Sequence, residues 1–109
     1  MVDKAVLEVV KKYLQALSTQ GLPVKAGVLF GSYAAGKMHE WSDIDLLVIS
    51  PRFDAMCKRA DIDLLWHVAA NVDSRIEPIA VGEQQYKNDS SSYIIETARR
   101  EGQVIPLAD

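Results

Sequence analysis

The sequence predicts an α/β (α+β) domain: a mixed sheet of three to four strands with helices packed on it. An amphipathic helical stripe opens the chain, two apolar strand-like runs follow, and a third such run comes only after a further helical stripe. At 109 residues the chain falls in the single-domain range, so residues 1–109 are expected to fold as one unit around one core.

Each element has its own signal. Val2, Val6, Val9, Val10, Tyr13, Leu14 and Leu17 recur at helical spacing, and Gly21 followed by Pro23 supplies a stop. Residues 24–30 read as a short strand ending at Gly31, and residues 43–49 as a second strand. Pro51 breaks that run, Asp54 stands where it can cap a helix, and Ile62, Leu65, Trp66 and Ala69 give the helix an apolar stripe to about Asn71. Residues 75–81 alternate as a strand would. Pro78, with no N–H to donate, marks that strand as an edge or a bulge. Asp89 and the serines at 90–92 read as a capping loop for a last helix over residues 90–100, with Ile94, Ile95 and Ala98 inward and Gly102 closing it. Residues 104–107 are expected to add a short extended piece.

Composition excludes several classes. A hydrophobic fraction of 49% with 25% charged residues is that of a globular chain, not a disordered one. The net charge is −3, and the basic residues cluster no further than doublets, Lys11-Lys12, Lys58-Arg59 and Arg99-Arg100, so no footprint for duplex DNA or RNA is expected. A nucleic-acid end remains open as a substrate. Cys57 is the lone cysteine, which rules out an internal disulfide and reads as a small helix residue. Asp3, Lys4, Glu8, Lys11 and Lys12 interrupt the N-terminal apolar residues, so neither a signal peptide nor a membrane span is expected and the reading is cytoplasmic.

The chemistry is concentrated in Gly31-Ser32, ten residues, then Asp43-Ile44-Asp45. Gly31 lets backbone N–H groups approach a phosphate, and Ser32 adds a hydroxyl where a helix would start. Residues two apart on a strand share a face, so Asp43 and Asp45 point together while Ile44 points into the opposite layer. Two carboxylates beside an open phosphate site suit Mg²⁺, which prefers oxygen ligands and is commonly completed by substrate phosphates. Gathering Gly31-Ser32 with Asp43 requires the first two strands to be antiparallel. If Glu77 joins them, the third strand runs parallel to the second through a right-handed helical crossover.

Other polar and aromatic residues have plainer readings. Residues 31–37 match GxxxxGK, but Met38 stands where a P-loop needs Ser or Thr and no full helix can follow, so that motif is rejected. His39 and His67 read as surface residues, and Trp66 as core. Tyr33 and Trp41 flank the turn, where contact with a base or packing of the loop are both open.

The composite Gly31-Ser32, Asp43-Ile44-Asp45 and Glu77 resembles the nucleotidyltransferase superfamily that includes the DNA polymerase β palm. More narrowly it resembles the minimal nucleotidyltransferases, single-domain proteins often paired with a HEPN-domain partner in two-gene toxin–antitoxin modules. That resemblance implies a palm-like fold, Gly31 and Ser32 on the triphosphate of an NTP, and two Mg²⁺ ions held by Asp43 and Asp45 with Glu77 as third carboxylate. Glu77 would stand on the acceptor side and Asp45 between the ions. The implied reaction transfers AMP from ATP to a hydroxyl on a partner macromolecule, the HEPN toxin. Many relatives carry an arginine where Ala35 stands here; Lys37, two residues on, is the candidate replacement. The alternative is a non-catalytic or weakly active nucleotide-binding antitoxin that masks a HEPN-type ribonuclease. Transfer to a small molecule such as an aminoglycoside ranks last, since it calls for a second domain.

Overall fold

The computed structural model describes residues 4–31, 43–55, 57–89 and 92–107. Helix α1 (Lys4–Thr19) buries Val6, Val10, Tyr13, Leu14 and Leu17, the stripe the spacing predicts. It ends in a Schellman turn: Leu22 N–H donates to the Leu17 carbonyl at 3.2 Å and Gly21 N–H to the Ser18 carbonyl at 3.0 Å. Gly21 sits at φ +97°, the left-handed conformation that this turn needs.

Four strands follow in the spatial order β3-β2-β1-β4. β1 (Ala26–Phe30) pairs antiparallel with β2 (Ile44–Ile49), and β2 pairs parallel with β3 (Ile76–Val81), as expected. β4 (Gln103–Pro106) is the extended tail, antiparallel to β1. Alternation along each strand divides the apolar side chains between two layers. Ile44, Leu46 and Val48 face α1 and helix α3 (Arg59–Val72) in the larger core, while Leu47 and Ile49 pack with Val28, Val81, Ile95 and Ala98 under helix α5 (Tyr93–Glu101). Tyr13 ties α1 to α3 by donating its hydroxyl to the Leu65 carbonyl at 2.9 Å, and burial pushes that phenol above its ordinary pKa.

Both sheet edges are blunted by proline. Arg75 and Val81 carbonyls accept from Ile44 and Ser50 N–H groups, so the odd positions of β3 bond inward and Pro78 turns its missing N–H outward. On β4, Leu107 N–H donates to the Lys25 carbonyl, which likewise leaves Val104 and Pro106 outward. The edge-strand reading of Pro78 holds, and neither edge offers a full ladder for another chain.

Several expectations are corrected. The crossover contains two helices, α2 (Arg52–Ala55) and α3, and Asp54 lies inside the first of them. Its carboxylate instead accepts from Gln84 N–H at 2.9 Å and Gln85 N–H at 3.1 Å, capping helix α4 (Glu83–Asn88), an element the periodicity did not reveal. Gly82 has no side chain to serve that end, and a Cβ there would run into the Asp54 carboxylate. Asp54→Ala is therefore expected to cost about 1 kcal/mol and to release α4 first, read as faster amide exchange at Gln84 and Gln85 than elsewhere. Trp66 is half exposed rather than core, because Leu65, Val68 and Ala69 centre the buried stripe and Trp66 falls on its flank. Ile94 is 44% exposed for the same reason, whereas Ile95 and Ala98 face inward as expected. Cys57 is exposed and lies between α2 and α3, not within a helix. Ser92 caps α5, accepting from Ile95 N–H at 3.3 Å.

Candidate active site

One end of the sheet gathers the polar residues of the motif. β1 ends there at Phe30, just before Gly31, β2 begins there just after Asp43, and β3 begins there one residue before Glu77. Phe30 is the register partner of Asp45 across the antiparallel pair, and Glu77 is the partner of Asp45 across the parallel one. Asp45, Leu47 and Ile49 alternate onto the α5 side of the sheet, as do Glu77, Ile79 and Val81, so Asp45 and Glu77 share a face. Ile44 between the aspartates is fully buried in the opposite layer.

Gly31 closes this arrangement from the β1 side. It holds φ +75°, and a Cβ placed on it would overlap Asp45 Oδ2. The backbone turn and the second carboxylate are thus in contact because residue 31 has no side chain. Ser32 lies outside the described residues, as do Tyr33, Ala35, Lys37, His39 and Trp41.

The electrostatics are those of crowded acids. Burial first, then the Asp43 charge, push the Asp45 carboxyl above its usual range. Glu77 is raised too, first by a hydrogen bond with Asp43, then by burial and by the charges of Asp43 and Asp45. Arg75 is engaged by Asp73, its Nη2 standing 2.7 Å from Asp73 Oδ2. Hydrogen bonding from Arg75 holds the Asp73 carboxyl below its usual range.

The donor set is all carboxylate oxygen, the chemistry that suits a hard divalent cation and not a soft one. As the side chains stand, no group of three His, Cys, Asp or Glu residues among those described is drawn in around a single ion. His67 is on α3, its carbonyl accepting from Asn71 at 3.1 Å, and has no part in the cluster.

Sequence reasoning missed one feature. Glu96, Arg99 and Arg100 line a surface cavity of about 240 Å³, and the only signal in the chain was the basic doublet. No helix among the described residues is long and apolar enough to cross a membrane.

Comparison with known proteins agrees with the geometry. Residues 10–103 match the family described as nucleotidyltransferase domain. A search of curated proteins gives no match. Among solved structures, a protein assigned as a nucleotidyltransferase from Sulfolobus solfataricus superposes with a TM-score of 0.65 at 15% identity, over 90% of this chain and 77% of that one. A toxin–antitoxin structure with AMP-PNP gives 0.58 at 22% identity, over 86% and 70%. A mutant of the toxin–antitoxin MntA-HpeT gives 0.56 at 18%, again over 86% and 70%. Each of these three likenesses is one of fold.

Proposed function

The chain belongs to the nucleotidyltransferase domain family, and from that premise we propose that it transfers AMP from ATP to a hydroxyl of a HEPN-type toxin, as the antitoxin of a two-gene module. The observation that carries this reading is the register of Asp45 with Glu77, closed on the other side by Gly31 against the Asp45 carboxylate. Two solved toxin–antitoxin structures share the fold, one of them with AMP-PNP, and they support a toxin as the partner and an ATP-like nucleotide as the donor.

Gly31 and Ser32 would hold the triphosphate. Asp43, Asp45 and Glu77 would hold Mg²⁺, as two ions, and the raised carboxyls of Asp45 and Glu77 support a site built to receive positive charge. Bound there, the metal supplies neutralisation of developing charge on the phosphoryl oxygens. In the transfer, the acceptor oxygen forms a bond to the α-phosphorus while the bond from that phosphorus to the β-phosphate oxygen breaks. Pyrophosphate leaves, and the acceptor proton passes to a Glu77 carboxylate oxygen. Glu77 suits this role because its neighbours favour its protonated form.

The test incubates the purified protein, wild type and Asp43→Asn, with Mg²⁺, α-phosphate-labelled ATP and host lysate. Label on a protein band that depends on Asp43 is the expected result and gives the partner's mass. Label in RNA would redirect the acceptor to nucleic acid, and no label with any NTP would sink the catalytic reading. The second reading, an antitoxin that masks a HEPN-type ribonuclease without chemistry, is favoured by Ala35, where many relatives carry an arginine. It predicts that neutralisation survives removal of Asp43 and Asp45.

A further inference from the structure

The two ends of β3 are each flanked by an aspartate of the helical crossover, and the two hold different things. Beyond the far end, the Asp54 carboxylate accepts from Gln84 and Gln85 N–H groups and caps α4. At the near end, beside the acidic cluster, Asp73 closes α3: its N–H donates to the Ala69 carbonyl at 2.8 Å, and its carbonyl accepts from Ile76 N–H at 3.0 Å. Asp73 Oδ1 also accepts from Arg75 N–H at 2.9 Å, an Asx turn. The Arg75 guanidinium donates to the same carboxylate, Nε to Oδ1 at 3.0 Å and Nη2 to Oδ2 at 2.7 Å. The carboxylate that holds the Arg75 backbone is thus itself held by the Arg75 side chain. The Arg75 carbonyl in turn accepts from Ile44 N–H at 2.8 Å. That N–H belongs to the peptide joining Asp43 to Ile44, so the bond ties the Asp43 end of β2 to β3, two residues before Glu77.

Resting on the function proposed above, we propose that Asp73 is a positioning residue for the acidic cluster: through the Arg75 backbone it fixes the peptide between Asp43 and Ile44, and so the approach of Asp43 to Glu77. Asp43 and Glu77 share a hydrogen bond, yet they repel when both are charged. Side chains in that position spread apart unless the backbone beneath them is held. Asp73 is suited to the task because Arg75 favours its ionised form, and because its side chain is only 18% exposed. An ion pair that served stability alone would do so equally well at the far end of β3. The bonded path from Asp73 through Arg75 to Ile44 gives this one a route to the site.

Asp73→Ala and Asp54→Ala remove the same kind of contact, a carboxylate accepting from backbone N–H groups, and comparable losses of melting temperature are expected. Three readouts on the full chain then separate them: amide exchange residue by residue, Mn²⁺ broadening of amide signals without nucleotide, and label transfer. In Asp73→Ala, exchange at Ile44 should speed while that at Ser50, just past the other end of β2, stays as in the wild type. Broadening at Asp45 and Glu77 should need severalfold more Mn²⁺, and kcat should fall about tenfold with KM for ATP little changed. Asp54→Ala should leave Ile44 exchange, the Mn²⁺ response and transfer at wild-type values. Asp73→Asn keeps an acceptor for Arg75 N–H and loses the charge, so it should recover most of the rate. Unchanged Ile44 exchange in Asp73→Ala, an asparagine variant as slow as the alanine one, or a wild type indifferent to Mn²⁺ would overturn the positioning role even if Asp43-dependent labelling is observed. Ile44 exchange and a Mn²⁺ response that follow Asp73, in a protein that transfers no label, would leave the positioning role standing and remove the catalytic reading.

Discussion

Asp45→Asn is expected to make the metal-free protein more stable at neutral pH while lowering nucleotidyl transfer by about 10²–10³-fold. The stability gain follows from the sign of the shifts. Burial and the Asp43 charge raise Asp45 above its ordinary value of 3.8, and the hydrogen bond with Asp43 raises Glu77 above 4.5. The folded state thus binds protons more tightly at these groups than the unfolded chain does. Their contribution to stability is complete below the ordinary carboxylate values and is lost as pH climbs through the raised folded values. Asparagine removes one charge from the cluster, so the melting temperatures of wild type and variant should separate in the variant's favour between about pH 4 and pH 7. Mg²⁺ should then close the gap by stabilising the wild type alone. Coincident melting curves across that range, with no response to Mg²⁺, would show that the carboxylates are neither crowded nor a metal site. Asp73 works in the other sense. Its hydrogen bond with Arg75 lowers its pKa, so its contribution is present above 3.8 and fades as pH falls, which leaves acid stability a balance between the two groups.

The strands and the carboxylates were legible because their signals are local. Two-residue alternation over residues 43–49 already placed Ile44 and Asp45 on opposite faces, and the need to bring Gly31 to Asp43 already fixed β1 against β2. Pro78 announced an edge through one missing donor. What escaped is what depends on distant partners. α4 is six residues long and is capped by Asp54, 30 residues upstream in sequence, so neither its own length nor its own N-cap residue, Gly82, gave it away. Trp66 and Ile94 were assigned inward by apolar character, yet each lies a helical step off the stripe that meets the sheet.

Gly31→Ala should lower transfer by about 10²-fold, more than its effect on stability would suggest, and Gly21→Ala is the control that shows why. Both glycines hold positive φ, +75° and +97° respectively, so alanine at either position is strained by about 1–2 kcal/mol. At Gly21 nothing lies within 4 Å of the added methyl, and the cost ends with the backbone. At Gly31 the methyl meets Asp45 Oδ2, and either the turn retreats from the carboxylate or the carboxylate swings off its register with Glu77. Both movements separate the phosphate side of the site from its acidic side. A displacement of about 1 Å is enough to account for the loss of rate. Thermal melts should therefore show a loss for both variants, somewhat larger for Gly31→Ala, while α-phosphate label transfer stays near wild type for Gly21→Ala and falls for Gly31→Ala. Equal activity in both would mean that the contact between the turn and Asp45 has no part in the chemistry. A loss confined to Gly31→Ala ties the absence of one side chain at the end of β1 to the placement of a carboxylate on β2.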